Sequence, residues 1–115
     1  MKAYTHPSIA DVPLALVMQA LSDPCRIAIV RALLNASSGE LACNAVPLKI
    51  SKATRSHHFT VLREAGLAFT RTDGTKCMTS IRRMEFEARF PGLLDLILNV
   101  DKPVSSGRKK ALAVS

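Results

Sequence analysis

The residues best equipped for chemistry in this chain are two neighbouring histidines, three separated cysteines and a scatter of cations. His57 and His58 stand in "SKATRSHHFTVLREAGL", Ser51 to Leu67, together with Lys52, Arg55 and Arg63. Such a pair can serve metal ligation, general base catalysis, a core, or contact with a polyanion. Neighbours on a helix point about 100° apart, so adjacent imidazoles do not converge on one ion; i, i+4 spacing would be needed. No metal site is therefore expected from these residues. No nucleophile, base and orienting group stand together, and there is no Gly-rich elbow, which argues against an enzyme and gives no reason to expect a cofactor.

Helical phase assigns the two histidines different surroundings. Arg55, His58, Phe59 and Leu62 fall at i, i+3, i+4 and i+7 and share one face, which places His58 in the core with Phe59 and Leu62. Ala53, Ser56, His57, Thr60 and Glu64 lie opposite, with Lys52 and Arg63 on the flanks. Ser56, His57 and Thr60 carry groups that hydrogen-bond to phosphates or base edges, as a DNA-facing surface requires. Lys52, Ala53 and Thr54 form the first turn, the part of such a helix that enters a groove furthest. Lys52 suits guanine N7 or O6, and Ala53 suits a thymine methyl. The bland reading of the same residues is ordinary polar surface. Arg55 departs from the apolar pattern of its face. It either snorkels out towards DNA or pairs with an acid such as Glu64 or Glu40.

Flanking elements must hold this helix. Ser51 is a suitable N-cap and Gly66 a C-terminal stop. Upstream, Leu14, Val17, Met18 and Leu21 recur at helical steps, with Pro13 in the first turn. In "SDPCRIAIVRALLNASSGE", Asp23 caps the following turn, Pro24 takes the first helical position, and Ile27, Val30, Leu33 and Leu34 make one apolar face. Leu41, Ala42 and Ala45 predict a short helix that Pro47 limits to one or two turns. Downstream, "LAFTRTDGTKCMTSI" reads as a β-hairpin about an Asp73-Gly74 turn, pairing Thr72 with Thr75 and Arg71 with Lys76. Two cations face each other in that register, a penalty that a phosphate between them would reverse. Arg63, Arg71, Thr75 and Lys76 are accordingly assigned to phosphates, which set register rather than sequence preference. Residues 83–99 read as helix interrupted at Pro91-Gly92. The second half is apolar almost all round, and in so small a domain a second subunit is the expected cover.

Composition sets the outer limits. At 115 residues and 12.4 kDa there is room for one domain, and 48% hydrophobic residues suit a folded globule. With 4% aromatics and no Trp, the core must be aliphatic. The domain is expected over residues 8–99, with a basic tail over 101–115 that carries Arg108, Lys109 and Lys110. A net charge of +7 and a pI near 9.8 point to a polyanionic partner, nucleic acid before membrane. No apolar run reaches the roughly 18–20 residues that span a bilayer. "MKAYTHPSIADVP" lacks the features of a signal peptide, so a cytoplasmic protein is expected. Cys25, Cys43 and Cys77 form no CxxC pair and are odd in number, and reduced thiols are the default expectation. A thiol sensor among them is a further option: Cys25, in a first helical turn beside Arg26, has the best electrostatic setting, and small apolar filler is the alternative.

The order helix, helix, short helix, helix, hairpin, helix is that of a winged helix-turn-helix, mainly α with a β-hairpin wing. On the residues "ALSDPCRIAIVRALL", "SHHFTVLREAGLAFTR" and "DGTKCMTSI", from about Ala20 to Ser80, the chain resembles the ArsR/SmtB family of bacterial repressors. The resemblance implies a homodimer joined through first and last helices that binds a pseudo-palindromic duplex DNA operator and leaves it when an inducer arrives. Many metal sensors of that family carry Cys-x-Cys where this chain has "ELACNAV", with Cys43 alone. Others ligate zinc through Asp and His on the last helix, whereas "LLDLILNVDK" offers Asp95 and Asp101 without histidine. Both family metal motifs are absent, and the inducer is unassigned. The competing reading is a winged-helix module for protein interaction or non-specific DNA binding, without inducer sensing.

Overall fold

The computed structural model describes residues 4–46 and 48–100; the basic tail expected from residue 101 and Pro47 lie outside them. A 3-10 turn at Ile9–Asp11 leads into α1 (Leu14–Ala20) and α2 (Pro24–Asn35). After β1 (Glu40–Ala42) and a 3-10 turn at Cys43–Ala45 comes α3 (Lys52–Glu64). The hairpin β2 (Ala68–Asp73) and β3 (Lys76–Ile81) follows, then α4 (Arg83–Arg89) and α5 (Leu93–Asn99). This is a winged helix-turn-helix: five helices and a three-stranded antiparallel sheet of order β1-β3-β2.

Local chemistry explains the helix limits. The Asp23 carboxylate accepts the Cys25 N–H at 2.7 Å and Pro24 opens α2, since a proline gives up only an amide that had no partner there. At α3, Ser51 Oγ accepts the Thr54 N–H at 3.1 Å. Gly66 takes a φ of +78° beyond the end of α3, and a Cβ there would lie 2.7 Å from Ile9 Cδ1 and 3.1 Å from Val12 Cγ2. Only glycine fits both the backbone and the space.

One core joins all the helices. Val17 and Ala20 of α1, Ile29, Val30 and Leu33 of α2, and Leu62 of α3 are buried with Leu67, Ala68, Phe86 and Ile97. Pro91-Gly92 does break the final helical region, as its residue types predict, with Gly92 at φ +86° before α5.

Two local expectations are corrected. The segment at Leu41 is a strand and a single 3-10 turn, not a short α-helix. It pairs with the wing, Glu40 with Ser80, Leu41 with Thr79 and Ala42 with Met78, because an edge of β3 offers more hydrogen bonds than one isolated helical turn. The hairpin turn is one residue later than expected. Asp73 pairs with Lys76, so Gly74-Thr75 form the turn, and Arg71 faces Met78 rather than Lys76. Gly74 supplies the positive φ, +64°, at the first turn position. The cation pair that a phosphate was to bridge therefore does not form.

Candidate nucleic-acid interface

The outward side of α3 is built as its phase predicts. Lys52, Ala53, Thr54, Ser56 and His57 are exposed, while His58, Phe59 and Leu62 are buried beneath them. The buried row fixes the rotation of the helix about its axis, so five side chains stand together on its free face. Thr60 is half-buried and its hydroxyl donates to the Ser56 carbonyl at 3.1 Å. Thr75 and Lys76 are exposed at the tip of the wing.

The arginines are engaged within the protein. Arg55 Nη2 donates to the Leu48 carbonyl at 2.9 Å, and its Nε is buried without a hydrogen-bond partner. It pairs with neither Glu64 nor Glu40 and instead fastens the loop before α3 onto the helix. Arg63 donates to Thr60 Oγ1 at 3.1 Å and stands 4.7 Å over the Tyr4 ring. Burial lowers its pKa, although Tyr4 and Glu64 oppose the shift. Arg71 meets Glu40 at 2.5 Å, and that carboxylate raises the Arg71 pKa through a hydrogen bond first and charge second. Glu40 is brought to Arg71 by the β1–β3 pairing that the sequence did not reveal.

Another contact invisible in the sequence ties the N-terminal lead to the wing. His6 Nε2 accepts the Thr70 N–H at 2.9 Å, and its ring stacks on Phe69 at 4.5 Å between centroids. Burial, with Arg82 and Arg63 nearby, lowers the His6 pKa. The ring is therefore suited to accepting as a neutral imidazole.

The expectation of wholly reduced thiols is corrected. Cys43 and Cys77 are joined as a disulfide with Cα atoms 5.5 Å apart, and Cys25 is free. Register is the physical reason. The β1–β3 ladder runs Glu40–Ser80, Leu41–Thr79, Ala42–Met78, and its next step is Cys43 opposite Cys77. The bond links the turn before α3 to the root of the wing, and both cysteines line a cavity with Lys52, Ser56 and Thr60. The three thiols thus do not converge.

A second grouping was hidden by chain separation. Asp23, Cys25 and His58 bring one ligand-type atom each within 4.8 Å of one another. Arg26 lies against this group, Nη1 3.1 Å from His58 Nδ1 and 3.7 Å from the Asp23 carboxylate. The Cys25 N–H is the main cause, ahead of the Arg26 charge, of a lowered Asp23 pKa.

An exposed polar helix face, a wing beside it and a buried row that locks both define a DNA-binding winged-helix protein of the transcriptional regulator class. No family model matches the chain. It is 44% identical over 85 residues to the uncharacterized HTH-type transcriptional regulator YceK of Bacillus subtilis (strain 168), covering 72% of this chain and 84% of that one. A crystal structure of an ArsR family transcriptional regulator superposes with a TM-score of 0.58 at 22% identity, covering 89% of this chain and 97% of that chain. The chain belongs to the HTH-type transcriptional regulators, and it shares its fold with the ArsR family structure. Among the described residues no helix is long and apolar enough to cross a membrane.

Proposed function

We propose that this chain is a homodimeric, cytoplasmic, sequence-specific repressor that places α3 in the major groove and the wing on the adjoining backbone. The observation that carries the reading is the exposure of Lys52, Ala53, Thr54, Ser56 and His57 on one helix side whose reverse is fully packed. These five, with Thr60, read bases and nearby phosphates; Thr75 and Lys76 at the wing tip hold the backbone. Arg55, Arg63 and Arg71 are second to them, since each already has a partner within the protein. Arg55 and Arg63 position α3, and Arg71 reaches a phosphate only by leaving Glu40.

Dimerisation is supported by the apolar side chains left outside. Leu14 and Met18 of α1 and Leu96 of α5 are each at least half exposed, and they line one groove with Phe90 and Leu93. A second copy covering that groove would set two α3 helices about one helical turn of DNA apart, roughly 34–36 Å. Selection from random duplex DNA tests the reading: it is expected to return a dyad-symmetric site, and enrichment of duplexes without any shared motif favours the non-specific module instead.

Inducer release fits the Cys43–Cys77 pair better than Cys25. Reduction by a dithiol takes two electrons and two protons from that reagent, which leaves as its own disulfide, and frees the wing root from the turn before α3. The freed wing loses preorganisation, so DNA affinity falls in the reduced form.

A further inference from the structure

We propose that Asp23, Cys25 and His58 form a binding site for a thiophilic divalent cation, zinc(II) being the ion that fits, joining the start of α2 to the buried side of the recognition helix. A carboxylate, a thiol and an imidazole are the three side chains that zinc accepts together, and their donor atoms lie within 4.8 Å of one another. A tetrahedral ion with bonds of about 2.0–2.3 Å holds its donors about 3.3–3.8 Å apart. Side-chain rotation of Asp23 and Cys25 at the chain surface closes that difference, since both are only partly buried. His58, 6% exposed, supplies the rigid wall of the site.

The Arg26 contact shows that this place already attracts positive charge. A guanidinium can only donate, so His58 Nδ1 must be presenting its lone pair to Arg26 Nη1 at 3.1 Å. The same Nη1 is 3.7 Å from the Asp23 carboxylate. One cationic nitrogen therefore sits between two of the three donors. Arg26 is anchored elsewhere, its Nε donating to the Ala20 carbonyl at 2.6 Å and its Nη2 to that of Gln19 at 3.4 Å. An incoming ion takes the His58 lone pair by displacing Arg26, whose planar guanidinium moves as one unit and gives up its contacts to the Ala20 and Gln19 carbonyls as it turns out to solvent. Coordination replaces the Cys25 S–H by a metal–thiolate bond and releases that proton to solvent; the imidazole binds neutral and the carboxylate as its anion. A water completes four-coordination.

The two motifs that supply these residues are 33 positions apart at their nearest members, Cys25 and His58, so the spacing rules that excluded the neighbouring histidine pair do not reach this set. The site does not depend on the DNA-binding reading, and its test needs no DNA.

The experiment titrates cobalt(II) into the full chain with the Cys43–Cys77 disulfide intact and no reductant present. One equivalent is expected to produce a thiolate-to-cobalt charge-transfer band in the near ultraviolet, which zinc(II) then removes. Cys25→Ser is expected to abolish the band. Asp23→Asn keeps the helix cap and is expected to weaken binding about tenfold or more. His58→Gln is expected to weaken binding similarly, with circular dichroism as the check that it folds. Absence of a charge-transfer band in the unmodified chain, or its persistence in Cys25→Ser, overturns the proposal. Loss of the band with Cys25→Ser but unaltered affinity in Asp23→Asn also overturns the three-residue site.

Discussion

Replacing Gly66 by alanine tests how the recognition helix is joined to the wing. Gly66 follows α3 with φ at +78°, and its missing Cβ would fall 2.7 Å from Ile9 Cδ1 and 3.1 Å from Val12 Cγ2. Left-handed backbone costs a non-glycine residue about 1–2 kcal/mol. Crowding adds about 1–3 kcal/mol, weighted towards Val12, which is β-branched and 1% exposed, because the Ile9 methyl is a mobile chain end. Gly66→Ala should therefore destabilise by about 2–5 kcal/mol. Gly74 is the internal control: its φ is +64° but nothing lies within 4 Å of a Cβ there. Gly74→Ala should show the backbone cost alone, about 1–2 kcal/mol. Urea unfolding of both variants, with slopes compared to the unmodified chain, measures the difference. By melting, the gap corresponds to about 4–8 °C for each kcal/mol. Equal destabilisation of the two would refute the packing of Ile9 and Val12 beneath the α3–wing junction, and with it the rigid angle between helix and hairpin.

Three further perturbations follow from particular contacts. Asp23 has a folded pKa below its usual value, held down first by the Cys25 N–H. Its stabilising effect is thus complete above the unfolded carboxyl pKa, about 3.9, and is lost as pH falls through the lower folded value. Asp23→Asn should lose less stability than the unmodified chain between neutral and strongly acidic pH, as measured by urea midpoints across that range; parallel acid profiles would contradict the assignment. Reducing Cys43–Cys77, whose sequence separation is 34, removes a loop constraint of about 3.8 kcal/mol on the chain-entropy model. The urea midpoint should drop on adding a dithiol, and Cys43→Ser should start low and not respond. Leu96→Glu places a charge on a side chain 55% exposed in the single chain. Light scattering should report a monomer, while a persisting dimer would move the interface away from α1 and α5.

Much of the architecture was legible because it rests on local rules. Asp23-Pro24, Ser51 and Gly66 mark helix limits through capping and backbone chemistry, and each does so in the structure. The inward row His58, Phe59, Leu62 follows from helical period alone. What escaped depends on partners distant in sequence. Leu41 and Ala42 have helical composition, yet the open edge of β3 draws them into a strand. That strand in turn delivers Glu40 to Arg71 and Cys43 to Cys77, which no local pattern encodes. The hairpin slipped because "TDGT" offers two turn placements, and the local signal favoured the one that the β1–β3–β2 sheet does not use. Arg55 does not make the acid pair that its sequence offered, because its partner is a backbone carbonyl, Leu48, that residue types do not announce.

The central claim is that side chains on the free face of α3 read DNA sequence. Its most direct measurement is fluorescence anisotropy at fixed salt, comparing a selected dyad-symmetric duplex with a scrambled duplex of equal length. Lys52→Ala, His57→Ala and the unmodified chain are run side by side. The unmodified chain should prefer the selected duplex by about a thousandfold or more. Each substitution should cost about 1–3 kcal/mol on that duplex, roughly 5- to 150-fold, and far less on the scrambled one. Equal affinity of the unmodified chain for both duplexes, or specific binding that neither substitution alters, would contradict the account.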